Sequence, residues 1–135
     1  MIFIDSNIPM YLVGAPHPLK TEAQILTERL IAAGERLVKS AEVLQEILHR
    51  YTATQRREAI EPALRIAIEI VDEVFPVEHR DVMRAAEITQ VPMHLPARDA
   101  VHIAVMERHG VRSILSFDAD FDRWPGIKRI HSEVS

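Results

Sequence analysis

The sequence predicts an α/β fold organised around a parallel sheet. Short apolar runs that suit buried strands alternate with longer segments whose apolar residues recur at helical spacing. That alternation is what strand–helix–strand units produce. A second observation concerns two of the strands. The first apolar run, Met1-Ile2-Phe3-Ile4, ends in Asp5, and the last strong one, Ser113 to Phe117, is followed by Asp118. In open parallel sheets ligands bind beyond the carboxyl ends of the strands, where strand order reverses. Adjacent strands lie about 4.8 Å apart, so neighbouring placement would let these two carboxylates share one small cation.

The elements follow in order. Gly14-Ala15-Pro16-His17-Pro18 is a loop, because each proline restricts its predecessor to extended geometry. Leu19 to Ala33 is a helix carrying Ile25, Leu26, Leu30 and Ile31, stopped by Gly34. Arg36-Leu37-Val38 is a short strand, and Ser40 is an N-cap for a helix running to about Tyr51. Val43, Leu44, Ile47, Leu48 and Tyr51 form its apolar stripe. A further helix spans Gln55 to Val71, with Pro62 placing its first turn later in that window. Val74 to Val77 is an edge strand, where Pro76 is tolerated. Asp81 to Thr89 is helical, and residues 92–96 form a loop. Asp99 to His109 is a helix closed by Gly110, Arg112 to Phe117 a strand, and Ile127 to Ile130 the last strand.

The 135 residues are expected to form a single domain over 1–135. A net charge of -4 excludes a generic nucleic-acid coating protein, which would be basic. The absence of cysteine excludes disulfides and thiolate metal sites. No apolar run reaches the roughly 18 residues of a membrane span, and the start lacks the basic and apolar regions of a signal peptide. A soluble cytoplasmic protein is expected.

Four acids carry the functional argument: Asp5 and Asp118 at strand ends, Glu46 and Asp99 from helix starts. Taken singly, each has an ordinary explanation as a turn residue, a solvated helix acid or a partner of the helix dipole. Glu42, one turn before Glu46, competes with it, and Asp120 competes with Asp118. Together the four converge only in this fold. Crowded carboxylates repel one another, and a hard divalent cation removes that strain. Other readings fail on residue identity. A calcium loop opening at Asp118 has Arg123 and Arg129 where Gly and Glu are needed. An aspartyl-phosphate phosphatase would need an acid where Asn7 stands. The histidines form no HExxH motif, and no G-x-S-x-G or Walker loop is present. His102, among apolar neighbours on its helix, reads as a core histidine that at most supports the site.

The chain resembles the PIN-domain ribonucleases, and within them the VapC-like toxins of type II toxin–antitoxin pairs. The matching segments are Phe3–Asn7, Ser40–Glu46, Ala97–Ala104 and Ile114–Phe121, in the family's order and spanning nearly the whole chain. The resemblance implies a three-layer α/β/α domain with a central parallel sheet of about five strands. It also implies that Asp5, Glu46, Asp99 and Asp118 are the catalytic acids, with Asp5, Asp99 and Asp118 as metal ligands. Ser6, Asn7, Arg98, Ser116 and Asp120 are expected to orient those acids or touch RNA.

The implied reaction is Mg²⁺-dependent endonucleolytic RNA cleavage, with Mn²⁺ as an alternative ion. Lys39 and the groups Arg50, Arg56, Arg57 and Arg123, Lys128, Arg129 are candidates for a phosphate-binding rim. The implied partners are RNA and a VapB-like antitoxin, in a homodimer or a toxin–antitoxin hetero-oligomer. The antitoxin is expected in a groove between the helices at Leu19–Ala33 and Ser40–Tyr51, with Met10 to Val13 contributing to it or to a dimer contact. Two alternatives share the fold: a PIN-type RNA-processing nuclease without a toxin role, and a catalytically idle binding scaffold. Retention of all four acids argues against the scaffold.

Overall fold

A computed structural model describes residues 1–92 and 94–131. Met93, inside the loop expected over 92–96, lies outside the described residues. Five strands form one parallel sheet: β1 (Ile2–Ile4), β2 (Leu37–Ser40), β3 (Glu73–Phe75), β4 (Ser113–Leu115) and β5 (Lys128–Ile130). Their order is β3-β2-β1-β4-β5. The chain moves outward from β1 to β2 and β3, then returns to the other side of β1 as β4. The reversal therefore falls between β1 and β4, paired in register from Ile2↔Ser113 to Ile4↔Leu115. This adjacency is the one the two terminal aspartates required.

Side chains alternate across each strand, and two cores result. Phe3, Val38 and Ile114 face a core closed by α3 (Ala41–Ala53), α4 (Ile60–Glu69), α5 (His79–Thr89) and α6 (Ala97–Arg108). Ile2, Ile4, Leu37 and Leu115 face a second core, with Ile8 from α1 (Asn7–Val13) and Ala23 and Leu26 from α2 (Pro18–Ala32). These are the three layers expected.

Three local differences have physical causes. The helix expected over Gln55–Val71 breaks into a 3₁₀ turn at Arg57–Ala59 followed by α4. Gln55 takes a positive φ of 58°, which no helix interior accommodates, and Pro62 falls in the first turn of α4, where a missing N–H costs nothing. Met10 to Val13 belong to α1, half-buried, with Met10 and Val13 against one core and Tyr11 and Leu12 against the other. The two helices expected to flank an antitoxin groove pack on different cores, α2 on one and α3 on the other, and α1 packs against both α2 and α4.

Candidate metal centre and active cleft

Asp5 leaves β1 at its carboxyl end, and its N–H bonds to the Leu115 carbonyl across the strand pair at 3.1 Å. Its carboxylate is 4 % exposed and thoroughly held. Oδ1 accepts from the Ser6 N–H at 2.7 Å, and Oδ2 accepts from the Ser116 hydroxyl at 2.6 Å and more loosely from the Asn7 amide at 3.4 Å. Ser116 is wholly buried, and its Oγ also receives the Asp118 N–H at 3.0 Å. One serine thus ties together the ends of both strands. Burial pushes the Asp5 carboxyl above its ordinary pKa, and the charge of Glu46 adds to that.

Glu46 comes from the second turn of α3, not from a helix start as expected. Helical spacing from buried Val43 and Ile47 turns it toward the sheet end, where its side chain is 13 % exposed. The Ser6 hydroxyl donates to Oε2 at 2.9 Å, and His102 Nε2 donates to Oε1. Burial alone would raise the Glu46 pKa, but these bonds, the His102 charge and Arg98 at 3.6 Å hold it below the usual value. Glu42 is not hydrogen-bonded into this group, and burial raises its pKa.

His102 is more central than the sequence suggested. It projects from α6, is fully buried, and lies 3.9 Å from Asp5 as well as against Glu46. Burial opposes its positive charge, yet the Glu46 hydrogen bond and the surrounding carboxylates raise its pKa. Its sequence signal was a histidine three residues after Asp99, nearly one helical turn on, and its apolar neighbours concealed it.

Asp99 is the third residue of α6 and is 4 % exposed. Its Oδ2 is buried without a hydrogen-bond partner among the described residues. Burial, with the charges of Asp5, Asp118 and Glu46, pushes its pKa up to about 7. Asp118 and Asp120 present carboxylate oxygens within 4.8 Å of Asp99, so the doubled acid converges as a pair. Asp118 lines the open cleft beside Asp5 and Asp99, while Asp120 lies 3.4 Å from Arg123. The four expected acids therefore meet as two linked triplets: Asp5, Glu46 and His102; then Asp99, Asp118 and Asp120. The second is the all-oxygen donor set that a hard divalent cation takes, whereas in the first His102 Nε2 is already bonded to Glu46. An orphaned, buried carboxylate oxygen is the feature such an ion would satisfy.

The expected cationic rim is only partly present. Arg98, Arg50 and Arg56 line the cleft. Arg129 instead clasps Asp122 at 2.9 and 3.0 Å and donates to the Ser116 carbonyl at 3.2 Å, bracing β5. Lys39 cannot touch phosphate at all, because it is fully buried within β2 and its Nζ has no partner among the described residues. Burial lowers its pKa to about 7, against the opposing pull of Asp5.

A doubly wound parallel sheet with clustered acids at its switch point is the arrangement of a PIN domain, and the PIN-domain family model matches residues 2–127. Ribonuclease VapC13 of Mycobacterium tuberculosis is 57 % identical over 130 residues, covering 96 % of this chain and 99 % of that protein. The chain accordingly belongs to the PIN-domain family, among its VapC ribonucleases. Solved structures agree on the fold. The Mycobacterium tuberculosis toxin VapC20, described as cleaving the sarcin–ricin loop, superposes with a TM-score of 0.73 at 23 % identity, covering 98 % of this chain and 100 % of that one. VapBC2 from Rickettsia felis, solved bound to a promoter DNA fragment, gives 0.73 at 16 % identity, with 96 % and 98 % covered.

Proposed function

We propose that this chain is the toxin of a type II toxin–antitoxin pair and cleaves RNA internally with a divalent cation, Mg²⁺ or Mn²⁺. The observation that carries this is the Asp99 carboxylate, buried among other acids with one oxygen unpartnered and its pKa raised to about 7. Asp5, Asp99 and Asp118 would hold the cation, with Asp120 as the neighbour that competes with Asp118. When bound, such an ion polarises the scissile phosphate and makes a water more acidic.

The remaining steps belong to the chain. Ser6, Asn7 and Ser116 fix the orientation of Asp5. Glu46, kept ionised by its bonds to His102 and Ser6, accepts the proton of the attacking water. The water's oxygen bonds to phosphorus as the bond to the 3′ oxygen breaks, and the departing 3′ oxygen takes up a proton from solvent, leaving a 5′-phosphate and a 3′-hydroxyl. Arg98 faces the same cleft and meets a non-bridging phosphate oxygen.

A VapB-like antitoxin is the proposed inhibitor, consistent with neighbours such as VapBC2, and a cytoplasmic location follows from that role. Among the described residues no helix is long and apolar enough to cross a membrane. The test maps RNA 5′ ends in cells after brief induction, beside an Asp5→Asn control, and repeats cleavage in vitro with Mg²⁺ and with EDTA. Discrete new 5′-phosphate ends and growth arrest in wild type alone are expected. Cleavage undiminished in EDTA would sink the mechanism. Normal growth with soluble wild-type protein present would remove the toxin role and leave a processing nuclease.

A further inference from the structure

The acids form only the floor of a larger cleft, about 430 Å³ in volume. That is ample for a nucleotide and within the range of small-ligand sites. Its two walls differ in kind. One is α3 and the turn after it, carrying Arg50 and Arg56. The other is α1 and the proline-flanked loop behind it, carrying Tyr11 and His17. None of these four serves the chemistry described above.

The Tyr11–His17 wall is fixed in place. The two ring centroids lie 5.2 Å apart, and Phe117 braces the Tyr11 ring edge-on at 5.6 Å. His17 is exposed, yet its Nδ1 accepts the Leu19 N–H at 3.0 Å as the N-cap of α2, which sets the plane of the ring. Arg50 has no ion pair among the described residues, and Arg56 pairs only with its near neighbour Glu58 at 3.2 Å. An acidic floor with an aromatic wall and a cationic wall suits a chain that alternates phosphates with flat bases. Single-stranded RNA is bound in this way, by bases stacked on rings and a backbone tracked by arginines.

We infer that the cleft holds a base-stacking subsite: a nucleobase adjoining the scissile phosphate packs on His17 backed by Tyr11, while Arg50 and Arg56 take the flanking phosphate. This rests on the ribonuclease reading of the acid floor, and it adds a determinant of which single-stranded RNA fits. Stacking tolerates any base because every base has a π-face, so the subsite demands a base without dictating its identity.

The test uses fluorescein-labelled single-stranded RNA of about eight nucleotides and the full chain with Ca²⁺ to balance the acidic floor. Affinity is read by anisotropy while an abasic residue is moved through the RNA. His17→Asn removes the ring but retains an N-cap acceptor. Tyr11→Leu removes the second ring, and Tyr11→Phe keeps it. One abasic position is expected to weaken wild-type binding about ten-fold, the scale of one base–aromatic stack. His17→Asn and Tyr11→Leu should weaken intact RNA comparably and be indifferent to that abasic position, with Tyr11→Phe matching wild type.

Variant affinities within about two-fold of wild type, or penalties equal at every abasic position, would overturn the subsite. So would variants that lose only inhibition by a co-expressed antitoxin, which would give the wall to a protein partner. Coupled binding without cleavage in Mg²⁺ would support the subsite while removing the nuclease reading. Cleavage without coupling would do the reverse.

Discussion

Asp81 and Asp99 occupy the same local position with opposite consequences. Each is the third residue of its helix, in α5 and α6 respectively, and the two are 2 % and 4 % exposed. Asp81 closes a capping box with Glu78, and both its oxygens meet the Arg108 guanidinium, at 2.7 and 2.8 Å. Burial would raise its pKa, but Arg108 and the Glu78 N–H outweigh burial and hold it low. Asp99 has Pro96 as its N-cap, other acids for neighbours and one oxygen unpaired. Burial there is reinforced by the charges of Asp5, Asp118 and Glu46 and only partly offset by that of His102. The helix dipole favours both equally, so it cannot be what separates them. Partners brought from other elements do that: Arg108 donates to both oxygens of Asp81, whereas Asp99 keeps one buried oxygen without a hydrogen-bond partner among the described residues.

The largest expected effect is on catalysis. Asp99→Asn should lower cleavage more than about 100-fold, beyond what loss of a merely supporting group gives, without lowering the thermal midpoint of the metal-free protein. Asp81→Asn should leave the activity of the folded molecule unchanged. A reversed pattern, measured by cleavage kinetics and melting together, would break the comparison.

Next is Lys39, a buried amine with no hydrogen-bond partner among the described residues. Its folded pKa of about 7 lies below its ordinary value, so between pH 7 and 10.5 the unfolded chain holds the proton that the folded chain lacks. Stability contributed by this residue therefore rises with pH through that window and is lowest below it. At about 1.4 kcal/mol per pKa unit, Lys39→Met should stabilise the protein by as much as about 5 kcal/mol at pH 6, with the gain fading toward pH 10. Urea melts at several pH values check this, and a pH-independent difference would refute it.

Asp81→Asn should cost about 3 kcal/mol, because Arg108, only 16 % exposed, loses its buried partner. The smallest effect concerns the ion itself. Saturating Mg²⁺ at about 100 times its dissociation constant should add about 2.7 kcal/mol to wild type. Asp81→Asn should keep that increment and Asp99→Asn should lose it, as calorimetry with and without EDTA will show.

Much of this was legible in the residues. Strand ends are marked by the switch from apolar runs to Asp5 and Asp118, and parallel strands buried on both faces leave little choice of register. Glu46 and Asp99 were placed by their resemblance to the family's motifs, six residues after Ser40 and ahead of the helical segment 100–104. The misplaced residues have a common cause. Lys39 looked like a rim cation beside a motif serine, but a central strand of a parallel sheet is covered on both faces, so no side chain there reaches solvent. His102 looked like packing because burial and catalytic support use the same apolar neighbours. That α2 and α3 pack on different cores was hidden for a like reason, since the sequence does not show that the seven-residue α1 has apolar residues facing both.

The sequence by itself determined the alternation of strands and helices and the acids that follow β1 and β4, because periodicity and composition act over a few residues and need no partner. Only the tertiary structure decided which acids are paired and which are left charged against one another. It alone brought Ser116 to Asp5 and His102 to Glu46, across 111 and 56 residues of chain. Electrostatic free energy depends on distance through space and on burial, and neither is written in the spacing of residues along the chain.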